Sequence, residues 1–167
     1  MTNFGPITQL GYLTDNIDEA AGKWVALGVG PWMRMTGVKM SATMDGETVE
    51  IEIDLALSYR GDIQMELIQP NCDSPSPYQR NKQLGLWGSH HTQFTVDDMD
   101  SAIEKAEAAG METACIITSG GARYIYLRSS AGWIELTAPN PGLQMMFDMI
   151  KKNVTEWDGE TVFQALG

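Results

Sequence analysis

The chain carries one pattern twice, and this repeat constrains its fold more than any other feature. Residues 9–17, Gln9-Leu-Gly-Tyr-Leu-Thr-Asp-Asn-Ile17, lie against His91-Thr-Gln-Phe-Thr-Val-Asp-Asp-Met99. The two share an aromatic at the fourth place, Asp at the seventh, Asn or Asp at the eighth and a large apolar residue at the ninth. Gly28 and Gly110 each follow nineteen residues after the first member of their copy. Two copies of one supersecondary unit must be built alike, so each element placed in one copy predicts its counterpart in the other.

In each copy a strand leads into a helix. Asn16 with Glu19 reads as a capping box, Ile17, Ala21 and Trp24 recur at helical spacing, and the segment ends near Gly28. In the second copy Met99, Ala102, Ile103 and Ala106 make the apolar stripe, and Gly110 suits the position just past the helix end. Three strands are expected after each helix. Residues 48–59 alternate, with Val49, Ile51, Ile53, Leu55 and Leu57 on one face and Glu50, Glu52 and Asp54 on the other. Gly61-Asp62 then turns the chain into a strand over residues 63–68. The second copy supplies strands over 113–118, 124–128 and 133–137, separated by the Gly120-Gly121 and Ala131-Gly132 turns.

Both copies close alike, on Glu66-Leu-Ile-Gln-Pro70 and Glu135-Leu-Thr-Ala-Pro139. The reading is an α+β fold in one domain over residues 1–167, with module one at 5–70, a linker at 71–88, module two at 89–138 and a C-terminal helix and tail at 139–167. The linker is rich in Pro, Ser and polar residues and leaves room for a short helix over 78–84. After Pro141, the run Leu143, Met146, Phe147, Ile150 predicts an amphipathic helix. Its apolar face needs its own sheet or a second subunit, and a homodimer is expected.

Composition narrows the partners. The 43% apolar content is that of a globular chain, and no apolar run approaches the roughly 18 residues of a membrane span. The opening six residues carry neither a basic stretch nor an apolar one, so a cytoplasmic protein is expected. A net charge of −11 with 11 basic residues argues against nucleic acid and anionic lipid, because phosphate binding needs clustered Lys and Arg. It argues less strongly against a polyanionic coenzyme A thioester. Cys72 and Cys115 sit in no redox or metal spacing and are read as reduced.

Period-2 geometry sorts the strand residues by face. Glu66 shares its face with Gln64, Glu135 with Trp133 and Thr137, Gln9 with Gly11 and Leu13, and His91 with Gln93 and Thr95. Each module thus offers a polar group from its first strand and a carboxylate from its last. Four such groups in a sheet concavity are costly to bury unless they are paired or metal-bound. His90 alternates to the opposite face from His91 and is left out of the site. Trp32, Trp87 and Trp133 are candidates for a pocket lining or for plain core, and Arg60, Arg123 and Arg128 for anchoring an anionic group or for solvated strand edges. The eleven methionines suit an adaptable apolar cavity or gap-filling in the core.

Two βαβββ modules with this placement of residues, over about 5 to 138, resemble the glyoxalase and bleomycin-resistance superfamily, the vicinal oxygen chelate proteins. Leu86-Trp-Gly-Ser-His-His91 with Val96-Asp-Asp-Met-Asp100 resembles that family's second-module opening. The resemblance implies a curved mixed sheet around a central metal-binding cleft, and it sets the four ligand places on Gln9, Glu66, His91 and Glu135. That set is similar to those of some glyoxalase I enzymes and, closely, of methylmalonyl-CoA epimerases. It implies a divalent ion (Zn, Ni, Co, Mn or Mg) and a small-molecule substrate. The function expected is that of an isomerase, epimerase or lyase that moves a proton next to a metal-bound carbonyl through an enediolate. Glu135 is the first choice for the base and Glu66 for the second proton carrier. A metal-free binding protein that sequesters small molecules is the alternative. A ring-cleaving dioxygenase fits less well, since its iron site needs two histidines and Gln9 stands in the place of one.

Overall fold

The computed structural model describes residues 4–165. Module one runs β1 (Ile7–Leu13), α1 (Ile17–Ala26), β2 (Met33–Met44), β3 (Glu47–Arg60) and β4 (Ile63–Pro70). A connecting helix, α2 (Pro77–Gln83), leads into β5 (Gly88–Thr95), α3 (Met99–Ala108), β6 (Glu112–Ser119), β7 (Ala122–Ser129) and β8 (Gly132–Thr137). α4 (Pro141–Thr155) follows. In both modules the strand that enters the helix pairs in parallel with the module's last strand, β1 with β4 and β5 with β8.

The expected curved sheet goes further and closes. The strand order is β1-β4-β3-β2-β6-β7-β8-β5, with β2 joined to β6 and β1 to β5. Closure removes the free edges that an eight-stranded open sheet would leave. α1 and α3 pack outside this barrel. Asn16 and Asp98 accept from the backbone N–H groups of Glu19 and Ser101, capping the two helices at the equivalent repeat positions. α1 buries Ile17 and Ala21 against Ala56, Met65 and Leu67, while α3 buries Ala102 and Ala106 against Ile125, Leu127 and Leu136.

β3 departs from simple alternation. From Ile53 to Tyr59 every residue is buried, because α1 covers its outer face where Ala56 and Ser58 stand, and Leu55, Leu57 and Tyr59 point into the barrel. Asp54, expected on the solvated face, is instead a hub: it accepts from the Gly37 backbone N–H at 2.8 Å and the Asn71 amide at 2.7 Å.

α4 finds its partner at home. Ile150 is buried in the main core, and Leu143, Met146, Phe147 and Lys151 line the barrel cavity, so the apolar face of α4 lies against the chain's own strands and is half-buried there. Among the described residues no helix is long and apolar enough to cross a membrane.

Candidate functional site

The four residues singled out from the repeat converge. His91 Nε2 stands 2.9 Å from Gln9 Oε1, 3.5 Å from Glu66 Oε2 and 3.8 Å from Glu135 Oε2. Gln9 and His91 come from β1 and β5, which pair along one barrel seam; Glu66 and Glu135 come from β4 and β8, which flank that seam. Gly11 makes the convergence possible. A Cβ there would fall 2.1 Å from His91 Cε1, so the imidazole occupies the space that any side chain at this position would need.

A web of amides holds the cluster. Gln9 Nε2 donates to Gln64 Oε1 at 2.6 Å, and Gln64 Nε2 donates to the Tyr59 hydroxyl at 2.9 Å. Gln93 Nε2 lies within bonding distance of both Gln9 Oε1, at 3.0 Å, and Glu135 Oε1, at 2.5 Å. Thr8 Oγ1 completes it by donating to Gln93 Oε1 at 3.1 Å. Sequence reasoning put Gln64 and Gln93 on the right faces but assigned them no role; alternation from Glu66 and His91 was the signal that could have found them.

His90 corrects the alternation argument. Gly11 pairs with His91 but Tyr12 pairs with Ser89, so His90 is the extra residue of a β-bulge in β5. The bulge turns both imidazoles inward: His90 is 5% exposed, its Nδ1 lies 3.0 Å from His91 Nδ1, and its ring lies among Tyr78, Tyr126 and Trp133. A second irregularity, at Thr8 in β1, likewise lets Thr8 and Gln9 both face the cavity.

The electrostatics are those of charge kept out of water. Burial drives the pKa of both His90 and His91 down to about 3, so at neutral pH the imidazoles are uncharged and the close His91–carboxylate approaches are not ion pairs. Burial pushes Glu135 up to about 7, against the pull of hydrogen bonds from Tyr126 and Gln93. Burial, and then the neighbouring Glu135 charge, push Glu66 well above the usual carboxylate range.

These shifts predict how the metal-free protein responds to pH. The neutral histidines contribute stability that is gained as pH rises from about 3 toward the ordinary histidine value of 6.5. The neutral carboxyls contribute stability that is lost as pH rises from the ordinary 4.5 through about 7 for Glu135, and in the same direction for Glu66. Between 4.5 and 6.5 the two oppose each other, and above 6.5 only the carboxyl loss remains. Chelator-treated protein is therefore expected to lose melting temperature as pH rises above 6.5. A Glu66→Gln, Glu135→Gln double variant should show no such slope; an equal slope in the variant would place its origin elsewhere.

Above the cluster lies a cavity of about 530 Å³. Gln9, Gln64, Glu66 and Gln93 line its polar end, whereas His91 and Glu135 are not among its lining residues and sit beneath. None of the three tryptophan candidates lines it. Trp32 is fully buried under α1, Trp87 is exposed, and Trp133 donates from Nε1 to Asn81 at 3.0 Å. Nor do the arginines: Arg60 donates to the Gly28 carbonyl, Arg128 pairs with Glu112, and Arg123 is exposed. Met35, Met40 and Met146 do line it. Both cysteines are free.

Among the described residues, no group of three or more His, Cys, Asp and Glu side chains is arranged to hold an ion as it stands. The cluster is a closed hydrogen-bond network in which Gln9 contributes an amide and His91 bonds to it.

Known structures share this architecture. Methylmalonyl-CoA epimerase from Mycobacterium tuberculosis superposes with a TM-score of 0.55 at 17% identity, over 83% of this chain and 91% of that one. A variant of Streptomyces coelicolor methylmalonyl-CoA epimerase in complex with 2-nitronate-propionyl-CoA gives 0.57 at 14%, over 83% and 97%. A hypothetical protein from Bacillus halodurans C-125 gives 0.53 at 16%, over 81% and 94%. At such identities the likeness is one of fold. No curated protein matches the sequence. A family model does match, over residues 8–126, which takes in Gln9, Glu66 and His91 and stops short of Glu135. The chain belongs to the glyoxalase/bleomycin resistance protein/dioxygenase superfamily.

Proposed function

We propose that this chain is a divalent-metal-dependent isomerase, epimerase or lyase that moves a proton on a carbon beside a carbonyl, with Gln9, Glu66, His91 and Glu135 holding the ion. The observation that carries the reading is the pair of carboxyls beside one neutral imidazole, Glu135 buried and Glu66 partly open to a cavity large enough for a small molecule. Burial brings Glu135 to about 7, in the range where general acid–base catalysis is most effective, and pushes Glu66 in the same direction.

The donor set fits a divalent ion. Neighbouring ligands at roughly 2.1 Å from one centre lie about 3–4 Å apart. His91 Nε2 already stands 2.9, 3.5 and 3.8 Å from the other three donors. An ion would also offset the repulsion between the two carboxylates, whose two negative charges match a divalent cation. When bound, it would supply the positive charge that stabilises an enolate oxygen.

The chain's own residues do the rest. Glu66 shows part of its side chain to the cavity, so it is the carboxyl placed to touch a substrate carbon; Glu135, beneath it, is the second proton carrier. This reverses the order that the family resemblance implied. Gln9 Oε1 can only accept, so in the hydrogen-bonded network His91 Nε2 carries the proton and Nδ1 accepts from His90 Nδ1. With Nε2 taken by an ion, the His91 proton would sit on Nδ1 and be donated to His90 Nδ1, and His90 would then carry its own proton at Nε2. His90 Nε2 has no hydrogen-bond partner, so no other group fixes which ring nitrogen of His90 carries the proton. His90 is thus a positioning residue for His91.

The metal-free binding protein is the second reading, favoured by how completely the amides satisfy one another. Calorimetry separates the two. Chelator-treated protein titrated with Zn, Ni, Co and Mn should take up one ion per chain at a site that His91→Ala lacks. Equal uptake by protein and variant, or none by either, would leave the binding-protein reading standing.

A further inference from the structure

The cavity lining is more apolar than polar. Met35, Val38 and Met40 from β2, with Ile53, Leu55 and Leu57 from β3, form one wall, and Met146 and Phe147 from α4 lie across it. Polar groups gather where Gln9, Gln64, Glu66 and Gln93 meet. Of the described residues lining the cavity, Lys151 is the one basic side chain, and its Nζ sits 4.9 Å from the centre of the Tyr59 ring rather than in a cluster. Asp62 and Glu66 also line the space, in a chain of net charge −11.

Such a lining repels phosphates and rewards carbon. A coenzyme A thioester brings several phosphate charges that clustered cations must meet. A single Lys151, in a lining that also holds two carboxyls, does not supply them, although solved structures of the same fold hold acyl-CoA ligands. A volume of about 530 Å³ suits a compact, drug-sized molecule held mainly by apolar contact. Methionine on the walls adapts to irregular carbon shapes.

We infer that the cavity takes a phosphate-free carbonyl compound with a small oxygen-bearing head at Glu66 and Gln9 and an aliphatic or alicyclic body along the Met35, Met40, Leu55 and Phe147 wall. This rests on the proposed function for the head and on the wall alone for the body. The two parts therefore fail separately.

Acetohydroxamate and octanohydroxamate present the same two adjacent oxygens and differ by an alkyl chain; propionyl-CoA presents a short acyl group on a polyanion. Each is titrated by calorimetry into protein loaded with Mn and into chelator-treated protein. A methylene leaving water gains roughly fourfold in affinity. Octanohydroxamate should therefore bind at least about 100-fold tighter than acetohydroxamate and tighter than propionyl-CoA. Met40→Asn should shrink the chain-length gain, as should Phe147→Ala, which alters only the half-buried face of α4 and spares the barrel. Equal affinity for the two hydroxamates, or tighter binding of propionyl-CoA, overturns the inference. If the gain persists but neither Mn nor Glu66→Gln changes either affinity, the apolar-body inference holds and the catalytic reading falls.

Discussion

Glu66→Gln is expected to lower turnover by roughly 10²–10⁴-fold, the usual loss when a positioned proton carrier is removed. The amide keeps an oxygen at nearly the same place, so the ion should still bind, but it cannot accept the proton. The measurement is exchange at the carbon beside the carbonyl, followed by NMR in D₂O across a panel of 2-hydroxy ketones and hemithioacetals. Glu135→Gln is the companion variant. It removes the carboxyl that lies beneath the cavity and bonds to Gln93, so it should slow return of the proton more than its first removal. Undiminished exchange in Glu66→Gln with loss in Glu135→Gln would restore the order that the family resemblance implied. Absence of exchange in the native protein throughout the panel would favour a binder over a catalyst.

Gly11→Ala should do nearly as much damage with one methyl group. The added Cβ would lie 2.1 Å from His91 Cε1, 2.4 Å from Nδ1 and 2.6 Å from Nε2, so it cannot coexist with the imidazole where it stands. The ring is hemmed in by Gln9, His90 and Tyr126 and must leave its place rather than lean aside. Overpacking of this kind costs about 1–3 kcal/mol of stability. Divalent-ion affinity should fall by more than the 10–100-fold typical of losing a supporting residue, since a ligand itself is displaced. Urea denaturation and calorimetry with Mn measure the two effects. A variant that binds Mn as the native protein does would show that His91 is not a ligand. Because Gly11 has an ordinary strand conformation, backbone strain does not enter into the comparison.

The repeat determined the architecture in advance because it is local. Asn16 and Asp98 cap helices through bonds three residues away, and the apolar stripes of α1 and α3 follow from helical spacing. The equivalent closing strands put Glu66 and Glu135 in matching places, although their distances from Gln9 and His91 differ by thirteen residues. Ten of the thirteen are taken up in the β2–β3 hairpin, whose strands of 12 and 14 residues replace two of eight in module two, and the other three in the longer loop between α1 and β2.

What the sequence could not decide depends on contacts between segments far apart in the chain. Closure of the sheet rests on pairings such as β2 with β6 that no local pattern encodes. Alternation failed at His90 because a single unpaired residue in β5 reverses the facing of its neighbours, and a bulge shows itself only against the partner strand. Which of the two glutamates meets the cavity was likewise settled by packing: burial beneath the Gln93 amide hides Glu135, while the side chain of Glu66 stays open to the space under α4. A chain can specify residue types and spacings on its own, but exposure and neighbouring charge, which set the chemistry of a carboxyl, exist only once distant strands have come together.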